Sequence, residues 1–150
     1  MSNISTIYDA IRTTMATLLP THKELVNARQ IEANDLLFMV KGQCVLIADA
    51  FNTNRILSCK LSVSRNVIVT VTRQVFGTDR DITKKVETEK ALLEDHFILL
   101  NEFEKNVTLN GVTAKITYVS DTGIEEIYTE SLLFLMMQIN FNFEYFETLT

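Results

Sequence analysis

Proline and glycine are scarce. One proline and four glycines in 150 residues leave no material for a flexible linker. The chain is therefore expected to form one domain over residues 1–150, within the common size of about 100–150 residues. Cysteine is scarce too. Cys44 and Cys59 are too few for a secreted disulfide scaffold, and both fall in strand-like runs, where they read as small buried hydrophobes. His22 and His96 are the only histidines, with no H-x-x-x-H, no C-x-x-C and no clustered His/Cys set, which argues against zinc. No G-x-G-x-x-G, G-x-x-x-x-G-K-[ST] or G-x-S-x-G is present, so nothing is built to cradle phosphate or raise a nucleophile, and no cofactor is expected.

Positive charge is also in deficit. Fourteen Lys and Arg against nineteen Asp and Glu give a net charge of −5 with no basic block, which argues against a general nucleic-acid surface. That balance does not oppose DNA passing through an acidic channel without adhering to it. The opening MSNISTIYDAIRTT lacks the basic segment and apolar run of a signal peptide, so a reducing cytoplasm is expected.

What is present is a hydrophobic fraction of 47% arranged with clear period, as a packed core requires. Residues 3–19 predict an amphipathic helix: Ile4, Ile7, Tyr8, Ile11, Met15, Leu18 and Leu19 recur at three and four, Ser2 or Asn3 can cap it, and Pro20 helps end it. Strands are predicted at 43–51, 55–63 and 67–76 as a meander, with turns at Asn52-Thr53-Asn54 and Ser64-Arg65-Asn66. In the third strand Val67, Val69, Val71, Arg73 and Val75 share a face, so Arg73 is either a rim residue or paired.

A long helix is predicted over 82–105. Its stripe is Ile82, Val86, Leu93, Phe97 and Leu100, widened by Leu92, Leu99 and Phe103, with Lys84, Lys85, Glu87, Glu94, Asp95 and Glu102 facing away; Asp79 or Asp81 can cap it. Asn110-Gly111 predicts a two-residue hairpin. Asp121-Thr122-Gly123 predicts a three-residue loop joining 113–120 to 123–129.

The closing SLLFLMMQINFNFEYFETLT is too short in its unbroken apolar part for a membrane helix, which needs about 20 such residues. Gln138, Asn140, Asn142 and Glu144 arrive at period two, so it reads as a strand with Ile139, Phe141, Phe143 and Tyr145 on the core face. Leu132, Phe134 and Met136 then lie on the opposite face unless Met136-Met137 forms a bulge. At about 16 residues the strand exceeds the usual 3–10, so part of it is a candidate for association beyond the domain's own sheet.

Two polar spots remain: Arg73, Asp79, Arg80 and Asp81 between strand and helix, and Asp121, Glu125 and Glu126 around the predicted loop. Turn and capping chemistry is one reading and charged contact with partner subunits the other. His96, beside Asp95, reads as a partly exposed helix residue. A catalytic role would require a pocket bringing it toward Asp121 or Glu125.

The order of elements, with VIVTVTRQVF closing a meander, ALLEDHFIL in the long helix, TYVSDTGIE and the final NFNFEYFETL, resembles the tail terminator (tail completion) proteins of long-tailed bacteriophages. The resemblance implies an α+β fold, a mostly antiparallel or mixed sheet packed against an N-terminal helix and one long central helix. It implies a structural virion protein, not an enzyme, that caps the head-proximal end of the tail tube as a homohexameric ring. Such a ring ends tube polymerisation and offers a surface for head joining. The implied partners are other copies of the chain, the tail tube protein and a head-completion or neck protein, with genome DNA passing through unbound and no membrane. The seven charged residues of the two polar spots are then candidates for the ring and tube contacts. Another head–tail joining or neck protein is the runner-up reading, and a small cytoplasmic hydrolase or ligand-binding domain the third.

Overall fold

The computed structural model describes residues 3–25, 39–77, 82–129 and 131–149. In chain order these form α1 (Asn3–Leu18), β1 (Lys23–Leu25), β2 (Lys41–Leu57), β3 (Lys60–Val75), α2 (Ile82–Lys105), β4 (Lys115–Asp121), β5 (Glu125–Thr129) and β6 (Leu132–Thr148). The fold is α+β, as expected. One sheet runs β1-β2-β3-β6-β4, mixed because β1 lies parallel to β2 and antiparallel elsewhere.

The centre of the sheet is the β3–β6 pair, registered without interruption from Lys60↔Thr148 to Val75↔Leu133. Because side chains alternate along a strand, this register puts Val63, Val67, Val69, Val71 and Val75 beside Leu133, Leu135, Met137, Ile139, Phe141, Phe143 and Tyr145 on one face, all of them buried. Both helices cover that face. α1 contributes Ile7, Ile11 and Met15, which is the expected stripe. α2 contributes Leu92, Leu99 and Phe103, with Phe103 tilted against Phe141 at 4.9 Å between ring centroids. Each such Phe or Leu contributes about 1.5–3 kcal/mol by leaving water.

No bulge occurs at Met136-Met137. The odd-numbered positions stay in phase through the whole strand, and the even-numbered Leu132 and Phe134 belong instead to a small second cluster on the other face, with Met39, Cys44, Leu25 and Ile127. Beyond that cluster this face is polar, carrying Thr70, Gln138, Ser64, Asn66 and Asn142. Ser64 Oγ donates to Asn142 Oδ1 at 3.0 Å, and Asn142 Nδ2 donates to Asn66 Oδ1 at 3.1 Å.

Several local expectations are overturned. The predicted meander is a single long hairpin: Asn52, Thr53 and Asn54 pair with Ser64, Val63 and Ser62, and the chain reverses at Ser58-Cys59. Asn and Ser mark turns because they compete for local backbone hydrogen bonds, but here the cross-strand ladder supplies those bonds, and the β2 side chains over 51–57 are exposed. Cys59 therefore sits exposed in the turn, while only Cys44 is buried. Asn110-Gly111 makes no hairpin. Leu109, Asn110 and Gly111 all take positive φ (46°, 57° and 93°), and this left-handed run leads the chain from α2 into β4, with no strand before it. Asp121-Thr122-Gly123 is not a hairpin loop either. β4 and β5 pair one after the other along the same edge of β6, and Thr122 bridges the break by donating its N–H to the Gln138 carbonyl at 3.0 Å. The hairpin lies further on, between β5 and β6, where Thr129 faces Leu132.

The start of α1 is capped from an unexpected direction. The Glu147 carboxylate, on the last turn of the sheet, accepts from the Asn3 and Ile4 amides at 3.3 Å each. Asn3 spends its side chain elsewhere, donating to the Phe146 carbonyl. The Ser2, Asp79 and Asp81 capping expectations lie outside the described residues.

Candidate functional site

α2 lies across β6 and uses two adjacent residues to hold the strands on either side. Asp95 reaches β3 and His96 reaches β4. Asp95 was expected to face away; it is instead buried, in the same line as Leu92 and Leu99. What makes that tolerable is Arg73, one of two arginines on the valine face of β3 (the other is Arg65), which forks onto the carboxylate through Nε at 2.7 Å and Nη2 at 2.9 Å. His22, held by its N–H to the Leu19 carbonyl just past α1, brings Nε2 to 3.0 Å from Asp95 Oδ2. The His22 and Asp95 side chains are 2% and 4% exposed. Burial pushes the Asp95 carboxyl up, but the hydrogen bonds from His22 and Arg73 outweigh it and hold the group below its ordinary value. An ionised Asp95 accepts, so Nε2 of His22 carries the proton facing it.

The second group joins α2 to the edge formed by β4 and β5. Asp121 accepts from the Tyr118 hydroxyl at 2.6 Å and from the Gly123 N–H at 2.9 Å, with His96 Nε2 at 3.4 Å. The Tyr118 bond is the foremost of the contacts that lower the Asp121 carboxyl, and the same bond raises the tyrosine. Lys85 pairs with Glu126, which also accepts from the Tyr128 hydroxyl at 3.1 Å. That pairing raises the lysine and lowers the glutamate.

The sequence-predicted residues are thus not gathered into one site. Arg73 serves the buried Asp95; Asp121 and Glu126 tie the edge strands to α2. Glu125 is exposed on β5, its backbone paired with Met136. Asp79, Arg80 and Asp81 lie outside the described residues. The buried partnership was foreshadowed only by Arg73 standing on an apolar face. Nothing in the sequence marks His22 as its third member. His96 does approach Asp121, but Tyr118 and Gly123 already occupy that carboxylate, and no Ser, Cys or Thr hydroxyl or thiol hydrogen-bonds His96 among the described residues. Among the described residues no group of His, Cys, Asp and Glu is arranged to hold a metal ion.

Exposed apolar surface is the feature that neither cluster absorbs. The predicted stripe of α2 does not face the sheet: Ile82 is 74% exposed, Val86 40%, Leu93 49% and Phe97 59%. The helix turns by about 100° per residue, and Leu92, Leu99 and Phe103 share the buried side with Asp95, which meets Arg73 there. Only Leu100 of the predicted stripe packs partly against the core. At the far end of the sheet, β2, β3 and β6 run on together past α2, to a ribbon end that lies beside the start of α1. Its tip exposes Ile56, Leu57, Phe146 and Leu149, and Phe51 is exposed further back, opposite Arg65. The Arg65 guanidinium stands 4.3 Å from the Phe51 ring centroid and the Lys60 ammonium 4.4 Å from that of Phe146. On the outer edge of β2, β1 pairs only with Gly42–Cys44 among the described strands.

Compared with known proteins, the chain matches no family model and no curated sequence. Among the described residues no helix is long and apolar enough to cross a membrane.

Proposed function

We propose that the protein is a structural component of a phage virion, a tail terminator that caps the tail tube as a ring of identical subunits and presents a surface for joining the head. One observation carries the reading: apolar surface stands exposed on two separate parts of the molecule, the ribbon tip and the outer side of α2. Contiguous exposed apolar groups mark association surfaces, and subunits that associate through two different patches build rings or filaments. The resemblance of VIVTVTRQVF, ALLEDHFIL and NFNFEYFETL to the terminator family supplies the particular assembly.

The reading is tested by mixing the purified protein with tail tubes and imaging the products. A terminator appears only at tube ends and halts further growth. Decoration along the tube, or attachment to heads alone, assigns the protein to another joining role, and a species that ignores tubes defeats the reading. Glu125→Lys is expected to weaken attachment without unfolding the chain, since the Glu125 side chain is exposed.

A further inference from the structure

The two exposed apolar patches differ in shape and charge, and they sit at opposite ends of the molecule. The ribbon tip is a hairpin end: β2 and β3 close at Ser58-Cys59, with Ile56 and Leu57 50% and 60% exposed just before the turn. The α2 stripe is linear. Its start is fixed to the other end of the sheet, because Lys85 pairs with Glu126, which lies opposite Leu135 on β6, itself opposite Arg73 on β3. From Arg73 to Lys60 along β3 is roughly 40 Å at the usual strand rise. The two patches therefore cannot meet within one chain.

Their charges are complementary. Arg55 and Lys60 stand at the tip, where the acidic Glu147 is turned inward onto the α1 amides. Along the outward flank of the α2 stripe stand Glu87, Lys90 and Glu94, with Glu87 paired to Lys84 at 3.6 Å, and Glu89 stands on the stripe's other side, so the surface around it is net negative by one charge. Helical geometry puts Ile82, Val86, Leu93 and Phe97 within a sector of about 60°, a continuous apolar line beside that acidic flank.

We propose that the occupant of the α2 stripe is a second copy of this chain, whose β2–β3 tip lays Ile56 and Leu57 along Val86, Leu93 and Phe97, with Arg55 and Lys60 facing Glu87 and Glu94. The contact is heterologous: every chain offers one tip and one helix, so association continues past the dimer until the rotation closes. It rests on the terminator reading for closure at the size of a tube, and on the two patches alone for the contact.

The native Cys59 in the tip makes the contact measurable, because it is exposed while Cys44 is buried. Leu93→Cys puts a second thiol in the middle of the stripe. Mild oxidation of the concentrated protein by a copper catalyst should then give a disulfide ladder extending beyond the dimer on a non-reducing gel. That ladder should vanish in C59S/L93C and in I56S/L57S/L93C, whose fold is checked by circular dichroism. Ala16→Cys, on the exposed side of α1, serves as the control and should give no ladder.

Dimers alone from L93C would mean an isologous contact and overturn the proposal, as would a ladder of equal strength from A16C or no crosslinking at all. The two readings fail separately. Caps on tube ends without a ladder would remove this contact and leave the terminator reading; a ladder from a protein that ignores tube ends would do the reverse.

Discussion

Arg73 donates two hydrogen bonds to one buried carboxylate, that of Asp95, at 2.7 and 2.9 Å across the boundary between β3 and α2. The pair lies on the same side of α2 as Leu92, Leu99 and Phe103, so it anchors the face of the helix that reaches the core.

Asp95→Ala is expected to destabilise the protein by about 3 kcal/mol. This is the lower end of the range for breaking a buried ion pair, because Arg73 keeps some contact with water. Urea denaturation measures it. Asp95→Asn should show the pH dependence. The folded carboxyl lies below its unfolded value, so its stabilisation is fully present above about pH 4 and fades as pH falls further. The stability gap between wild type and D95N should therefore narrow below that pH, and a constant gap would refute the ionised assignment.

Ser64→Pro separates a turn from a strand. In a turn, proline at this position would be tolerated. In β3, which pairs with β2 on one side and β6 on the other, it removes a ladder donor from a central strand and should cost about 3 kcal/mol or more. Thermal melting decides it.

Phe141 lies under Phe103 and near Tyr118 at the middle of the core. Phe141→Ala is expected to cost about 3–5 kcal/mol. A double-mutant cycle with Phe103→Leu and Phe141→Leu should return a coupling of about 0.5–1.5 kcal/mol for the ring contact.

Thiol accessibility should split cleanly. In the native protein one thiol per chain, Cys59, reacts promptly with an aromatic disulfide reagent; Cys44, whose thiol burial pushes up, reacts only on unfolding. Two prompt equivalents would contradict the burial of Cys44.

Glu147→Ala should loosen α1 from its first turn. Loss of the carboxylate leaves the Asn3 and Ile4 amides without their acceptor, at about 0.5–1 kcal/mol. Hydrogen exchange localised to the start of α1 checks it.

Period-two alternation made β6 and its core face legible from residues alone, and period 3.6 did the same for α1 and the extent of α2. The rotation of α2 was not legible. Its sequence carries two overlapping apolar lines, Ile82 to Phe97 and Leu92 to Phe103, and only the second agrees with a pairing of Asp95 to Arg73, on another element. The hairpin tip was missed for a related reason. Asn52 to Asn54 and Ser64 to Asn66 carry local turn chemistry, whereas their pairing depends on a β6 register set by residues some eighty positions away. The His22–Asp95–Arg73 cluster has no local pattern, because its members come from a loop, a helix and a strand.

The place of β6 in the sheet has a consequence for the order of folding. It is the last strand in chain order, yet it lies between β3 and the edge formed by β4 and β5. Until it arrives, those edge strands have no sheet to join, and β3 has one edge without the partner of its longest ladder. Local pieces such as α1 and the β2–β3 hairpin can form early, but the core closes only through contacts distant in sequence, which are slow to form. Until β6 is available, one edge of β3 and the edges of β4 and β5 stay unpaired, which leaves the sheet open to wrong pairings late in folding.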